Sequence, residues 1–249
     1  MIKFFRKIRQ KLLSENKFSK YLIYAIGEIF LVVIGILIAI QLNSVKNERE
    51  KRNEEIIHLE NLLSDLRQDK TELEQIIERR ISKSNSSKIL ESIQNIQEVN
   101  NINDYYSHVM NVVYWDAHNP SLLTFNELIN SGKLSSLSNQ KIKDLLLQID
   151  YNYNELFEIR KHLYEDLWEY FYRPFADIID YENAILAWTE PNEDLELSKE
   201  FVEIAIENKR IKNGFTLSKF NNNLLREKLS DILTKVDSTI VLIEEEINK

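Results

Sequence analysis

The amino-acid sequence predicts an all-α fold in which an N-terminal transmembrane helix continues directly into a long helix of an antiparallel helical bundle. Two observations carry this prediction. The chain has four glycines and three prolines among its 249 residues, and sheets depend on these residues for their turns. A continuous apolar run near the N-terminus is followed by charged sequence whose leucines and isoleucines recur at helical spacing.

Composition and charge exclude several kinds of site. The chain has no cysteine, so neither a disulfide framework nor a thiolate site is possible. Residues 1–20 carry seven basic side chains and one acid, whereas the whole chain has a net charge of −8. The remainder is therefore strongly acidic, and nucleic acid, which needs a basic footprint, is not expected as a partner.

The apolar run at residues 21–42, YLIYAIGEIFLVVIGILIAIQL, predicts an anchor in a lipid bilayer. As a helix it would span roughly 33 Å, against about 30 Å for a bilayer core. Its length and the lack of a following small-residue cleavage site favour an uncleaved anchor over a signal peptide or a buried core helix. Basic residues are more numerous before it than after it. Residues 1–20 should therefore be a cytoplasmic amphipathic segment and residues 43–249 an extracytoplasmic domain.

Glu28 is an ionisable residue inside this predicted span. Such residues are costly in lipid and often functional, and Gly27 and Gly35 would allow a second helix to approach closely. Two interpretations stay open. Either Gly27, Glu28 and Gly35 contact a second copy or another membrane protein, or Glu28 is an acid tolerated near the lipid headgroups. A proton pathway is disfavoured because one helix offers no second relay group.

The sequence after the span predicts a bundle helix that continues to about residue 82, followed by a turn at Ser82–Ser87 and helices at Lys88–Val99 and Tyr105–Tyr114. Asp69 and Arg80 fall at seam positions of the heptad pattern and interrupt a strict coiled coil. Apolar residues occupy positions a, d and e: Ile56, Leu59, Leu62, Leu63, Leu66, Leu73, Ile76 and Ile77.

A helix–corner–helix unit is predicted in the middle of the chain, as architecture in preference to a binding loop. Ser121 or Thr124 can cap a short helix, Gly132 can end it in the left-handed conformation, and Ser138 or Asn139 can cap the next.

The last predicted helix, about Ser218 to Ile247, has the same apolar stripe as the helix after the span, so the two should pack antiparallel. Residues 189–199 should form a loop before it.

Residues 151–180 are rich in aromatic side chains, and Pro174 should kink or end the helix that carries them. An aromatic cluster beside a kink can line a ligand pocket, although packing in the core is its more common role. The candidate pocket residues are Trp168, Phe171, Tyr172 and Phe175.

Motifs for catalysis or metal binding are few. Glu55 and His58 form one Glu-x-x-His pair, but a di-metal bundle needs two, and the other three histidines lack an acid three residues earlier. No phosphate-binding glycine loop, nucleophile elbow or HExxH motif is present. The sequence predicts no cofactor, no metal and no catalytic residue, and it leaves only carboxylates for acid–base chemistry.

The N-terminal segment, with YAIGEI, LVVIGILIA and a QLN exit, resembles the start of a family of uncharacterised single-pass membrane proteins of Bacteroidota. The stretch Glu127–Leu147, with SGKL and SNQKIKDLL, resembles a second region of that family, whereas Val45 stands where the family usually has tryptophan. The resemblance implies a bacterial inner-membrane location with a periplasmic domain. It also favours a specific role for Glu28, but it implies no activity.

Three functions are compatible with these observations. The preferred one is a membrane scaffold or interaction protein whose helical domain binds other proteins or its own copies. The second is a sensor that binds a small molecule near Trp168–Phe175 and signals through a membrane partner. The third, and least favoured, is a periplasmic enzyme that uses carboxylates.

Overall fold

The computed structural model describes residues 18–116, 118–190 and 195–249, which contain helices and no strand, so the all-α fold class is confirmed. The described residues form two units, one ending at Ile56 and one comprising Ile57–Lys249, and each is considered by itself. The α-helices are α1 Phe18–Ser92, α2 Ile102–Val113, α3 Leu123–Asn130, α4 Gln140–Leu167, α5 Tyr181–Thr189, α6 Lys199–Glu207 and α7 Lys209–Ile247. Shorter elements are the 3₁₀ helices Ile96–Glu98 and Lys133–Ser136, a π-helix Trp168–Tyr172 and a turn of α-helix Arg173–Phe175.

The described part of the first unit is the start of α1, and it includes a stretch that is long and apolar enough to cross a membrane. Its most apolar 18-residue window has a mean hydropathy of 2.5, and none of that window is buried by the rest of the described chain. Ile23 and Leu31, for example, are 72% and 70% exposed. The predicted amphipathic segment lies outside the described residues as far as residue 17.

In the second unit, α1 and α7 pack antiparallel, as predicted. The side chain of Arg67 pairs with Glu244 at 2.6 Å, and further along α1 the hydroxyl of Ser87 lies 2.9 Å from that of Ser218. Residue numbers therefore rise along α1 while they fall along α7. The predicted stripe of α1 is mostly buried: three of its eight residues are partly buried, and five are no more than 1% exposed, namely Leu59, Leu62, Leu66, Leu73 and Ile76.

The second unit contains two hydrophobic cores. The first core is formed by α1, α3, α4 and α7, and the second by the end of α1, α2, the π-helix, α5, α6 and the start of α7. Aromatic rings dominate the second core, where Phe175 contacts Phe201 edge-on at 5.2 Å between ring centroids and Phe171 lies 5.2 Å from Phe215.

The predicted turn at Ser82–Ser87 is wrong, because α1 continues through it to Ser92. Serine-rich sequence favours turns because the hydroxyl groups compete for backbone hydrogen bonds. Here the hydroxyl of Ser87 is bonded to the carbonyl of Lys83 one turn earlier, at 2.8 Å, and it faces α7. The predicted helix Lys88–Val99 is also wrong, since α1 ends inside that range and a 3₁₀ helix follows.

The corner between α3 and α4 is confirmed in part. Gly132 has a φ of 70°, the left-handed conformation, and the side chain of Asn139 caps α4. Neither Ser121 nor Thr124 caps α3. The backbone N–H of Thr124 instead donates to the carboxylate of Asp65 on α1, at 2.7 Å, a long-range contact that local sequence does not encode.

The helix before Pro174 changes to a π-helix at Trp168 and ends at Phe175, which confirms the predicted effect of the proline. The predicted loop at residues 189–199 lies between α5 and α6, with residues 191–194 outside the described part. Helix α7 begins at Lys209, nine residues before its predicted start.

Gly214 explains why the start of α7 was difficult to predict. Glycine weakens a helical pattern, but here it permits a close approach of the π-helix. A β-carbon on Gly214 would lie 2.8 Å from Cζ of Phe171 and 2.8 Å from Cβ of Tyr170. Glycine is therefore required by packing and does not mark a helix end.

We expect Gly214→Ala to lower the free energy of unfolding by about 1 kcal/mol. Overpacking against the π-helix costs about 1–3 kcal/mol and outweighs the gain of about 1 kcal/mol that alanine brings to a free helix. Urea unfolding followed by circular dichroism measures the change, with Asn213→Ala at the exposed neighbouring position as the control. A more stable Gly214→Ala protein would contradict the close approach.

Candidate functional site

Polar side chains separate the two cores on both long helices. On α1 they follow Ile76, a residue of the first core, and on α7 they precede Leu225 of the same core. Seven residues make up this polar layer, and most of them are nearly inaccessible to solvent: Arg80, Lys83, Ser84, Ser87, Asp116, Ser218 and Asn222.

Three cations converge on Asp116, which lies in the segment between α2 and α3. Its carboxylate is 2.5 Å from Nη2 of Arg80, 2.8 Å from Nε of Arg79 and 3.8 Å from Nζ of Lys83. The side chains of Arg80, Lys83 and Asp116 are 8%, 4% and 9% exposed. The polar layer therefore buries more positive than negative charge.

Burial is the main influence on these cations. It lowers the pKa of Lys83 to about 8 and also lowers the pKa of Arg80, while Asp116 opposes the shift in both. The neighbouring guanidinium groups lower these pKa values further, with Arg79 acting on both residues and Arg160 on Arg80. Charged groups removed from water are costly unless they are paired, so this layer is a strained part of the interior.

Hydrogen bonds satisfy most of the donors in the layer. The ammonium of Lys83 donates to the carbonyl oxygens of Asn111 at 2.7 Å and Tyr114 at 2.5 Å, at the end of α2. Arg80 donates to the carbonyl of Asp116 at 3.0 Å and to the side chain of Asn222 at 3.3 Å. Within the described ranges, Nε of Arg80 is the buried side-chain atom that has no hydrogen-bond partner.

A cavity of about 30 Å³ adjoins the layer, with walls that include Arg80, Lys83, Trp115, Phe171 and Asn222. One water occupies roughly 10–15 Å³ of such a cavity, so two or three waters or one small ion fit. Ligand pockets are usually about 300–1,000 Å³. A second space of about 10 Å³ lies on the side of Arg80 that faces Asp116 and His118.

A buried cluster around His118 joins the same segment to the first core. Nε2 of His118 lies 3.0 Å from Asp69, and the hydroxyl of Tyr153 donates to the other oxygen of Asp69 at 2.6 Å. Glu72 lies 3.6 Å from the other ring nitrogen, and Arg160 donates to the carbonyl of His118. The segment between α2 and α3 is thus fixed to α1 and α4 by side chains from both.

This arrangement can hold the connecting segment in the bundle and can accommodate water or a small ion. In the ranges that the structure describes, no group of three or more His, Asp or Glu side chains could hold a metal ion. The polar layer is therefore a structural and electrostatic site with little room for an organic substrate.

The predicted partner-contact residues Gly27, Glu28 and Gly35 all lie on α1 in the first unit. Apart from the adjacent residues and the nearby backbone of α1 itself, no described atom lies within 4 Å of the β-carbon position of either glycine. Both positions are therefore open to a neighbouring helix. Their role in binding a membrane partner stays a prediction.

The four predicted pocket residues are placed in different surroundings. Phe171 and Phe175 are 2% and 0% exposed and contact each other in the second core, at 5.7 Å between centroids. Trp168 is 46% exposed and borders an open depression, and the hydroxyl of Tyr172 donates to the carbonyl of Val113 at 2.7 Å. Of the four, Phe171 lines the 30 Å³ cavity. A ligand role for the group stays a prediction.

Sequence reasoning did not find the polar layer, although part of its signal was present. Asp69 and Arg80 occupy seam positions where apolar residues belong, and both are in fact buried in polar contacts. Lys83 lies in the range Ser82–Ser87, which was wrongly predicted to be a turn. Nothing local distinguishes Asp116 or His118 from exposed residues of a loop.

The sequence model of the family of unknown function DUF6090 matches residues 28–169, a range that begins in the apolar part of α1 and ends in the π-helix. It includes Arg80, Lys83 and Asp116, but not α7. No curated protein and no solved structure matches the chain. Because the match covers more than half of the sequence, the chain belongs to the DUF6090 family of unknown function.

Proposed function

We propose that the protein is a single-pass scaffold of the bacterial inner membrane, with its helical domain in the periplasm and its action exerted through protein–protein contacts. The observation that carries this proposal is the uncovered apolar part of α1, none of whose most apolar window is buried. A helix that is apolar all round requires lipid or protein around it. The excess of basic residues before it supports a cytoplasmic N-terminus.

A contact role is preferred to ligand sensing because of the interior of the second unit. The aromatic side chains of Phe171 and Phe175 fill the second core. The cavity beside them, at about 30 Å³, is roughly a tenth of the smallest usual ligand pocket. These observations support a domain whose interior is filled by side chains and whose surface makes the functional contacts.

The proposed contact within the membrane is with a second copy of the chain. Gly27 and Gly35 lie eight residues apart with open space above both, which suits a close helix crossing. Glu28 lies beside Gly27, where its carboxyl group can form a hydrogen bond to the second helix. Such a bond recovers part of the cost of placing an acid in lipid, which an isolated helix cannot recover.

Chemical crosslinking of the full-length protein in native membranes tests this function. We expect a crosslinked dimer in wild type and about fivefold less of it in Gly35→Leu, because the leucine separates the helices. Val33→Leu, an apolar change in the same span, is the control and should crosslink as wild type does.

A cysteine introduced at Asn248 should react with an impermeant maleimide from the periplasmic side. Monomeric wild type, or a label that reacts only from the cytoplasm, would contradict the proposal.

A further inference from the structure

The polar layer has a feature that the proposed scaffold function does not use, namely positive charge buried beside an enclosed space. Arg80 and Lys83 both line the cavity of about 30 Å³. The carboxylate that acts on both cations is that of Asp116, and it is also bonded to Arg79. Three cations thus share one anion, two of them almost out of contact with water.

At least two hydrogen-bond donors, one on each cation, remain for an occupant. Nε of Arg80 is buried and has no partner in the described part of the chain. Lys83 has three N–H donors, and two of them reach backbone carbonyls, while Asp116 at 3.8 Å is beyond hydrogen-bond distance. Buried donors of this kind are normally satisfied by protein or by an ordered small species.

We propose that this cavity binds a small monovalent anion, of the class of chloride, between Arg80 and Lys83. A negative charge there would balance the excess of cations and satisfy both spare donors. Water would satisfy the donors but not the charge, and a buried uncompensated charge is the larger cost.

The size of the cavity limits which anions fit. Room for two or three waters accommodates a halide, whereas a sugar acid such as gluconate is too large. Asp166 also lines the cavity, where its carboxylate accepts a hydrogen bond from Asn221 at 3.0 Å. Repulsion by Asp166 confines the expected anion to the end that Arg80 and Lys83 line.

Thermal unfolding of the full-length protein in detergent, in sodium chloride and in sodium gluconate at equal ionic strength, tests the proposal. Equal ionic strength removes general screening as an explanation. We expect a saturable rise in Tm of about 5–10 °C when chloride exceeds its Kd by about 100-fold. Equal Tm values in the two salts would overturn the proposal.

Two variants locate the effect. Lys83→Met should lose the chloride-dependent rise, whereas Lys88→Met, on the exposed side of α1, should keep it. A rise that persists in Lys83→Met would overturn the assignment to this cavity. If Lys83→Met does not fold, wild-type crystals grown in bromide decide the question. An anomalous peak between Arg80 and Lys83 supports the site, and its absence from the cavity overturns it.

Discussion

Asp116→Asn should lower the free energy of unfolding by about 3–5 kcal/mol, the usual cost of removing one partner of a buried ion pair. The amide keeps the shape of the side chain but not its charge, so Arg80 and Lys83 would remain buried without a carboxylate between them. Lys83 can release its proton, but the guanidinium of Arg80 cannot. Urea unfolding of the full-length protein measures the loss.

The control for this prediction is Asp237→Asn. Asp237 pairs with Lys70 at 2.7 Å, a distance similar to the 2.8 Å between Asp116 and Arg79. The side chain of Asp237, however, is 47% exposed. Exposed pairs contribute about 0–1 kcal/mol, so the control should unfold almost as wild type does.

A double variant separates charge from packing. If the cost of Asp116→Asn is mainly uncompensated charge, then adding Lys83→Met should restore part of the lost stability, a non-additive result expected of residues in one network. A loss below about 1 kcal/mol in Asp116→Asn, or strict additivity in the double variant, would show that the layer is not electrostatically coupled.

Much of the fold could be predicted because its signal is local. The stripe from Leu59 to Ile76 on α1 and its counterpart on α7 repeat every three or four residues, and any such pattern requires a partner face. Two stripes of similar length therefore predicted the antiparallel pair. The left-handed Gly132 and the cap at Asn139 are equally local.

The errors of prediction occur where a distant contact decides the local structure. The serines of Ser82–Ser87 stay helical because their side chains contact α7 and α2. Gly214 stays helical because Phe171 packs against it. For the same reason the polar layer could not be assembled from the sequence. Asp69 and Arg80 at seam positions indicated buried polar groups. Their partners, however, come from α4, from α7 and from the segment between α2 and α3, whose positions depend on the complete fold.

Lys83 should add about 2 kcal/mol to the stability of the wild-type protein between pH 8 and pH 10, measured as the difference from Lys83→Met. Burial lowers the pKa of this ammonium from 10.5 to about 8 in the folded protein. Between these two values the unfolded chain binds more protons than the folded one, and stability then increases with pH. Below about pH 8 Lys83 is charged in both states, and the cost of burying the charge is present in full.

Measurements should stop near pH 10, since the buried tyrosines act in the opposite direction as the pH approaches their ordinary pKa of about 10. Burial raises the pKa values of Tyr105 and Tyr153, so the unfolded chain releases their protons first and stability falls at higher pH. The titration belongs in gluconate, because an anion bound beside Lys83 would keep the ammonium protonated and conceal the rise.

Comparison of three proteins over this pH range identifies the source of the effect. Relative to Lys83→Met, wild type and Lys88→Met should both gain stability from pH 8 to pH 10, because the tyrosines affect all three proteins alike. If chloride then suppresses the rise in wild type but changes nothing in Lys83→Met, the anion and the proton on Lys83 stabilise each other's binding. If the difference in stability between wild type and Lys83→Met stays constant or falls between pH 8 and pH 10, Lys83 does not carry the burial cost that its surroundings predict.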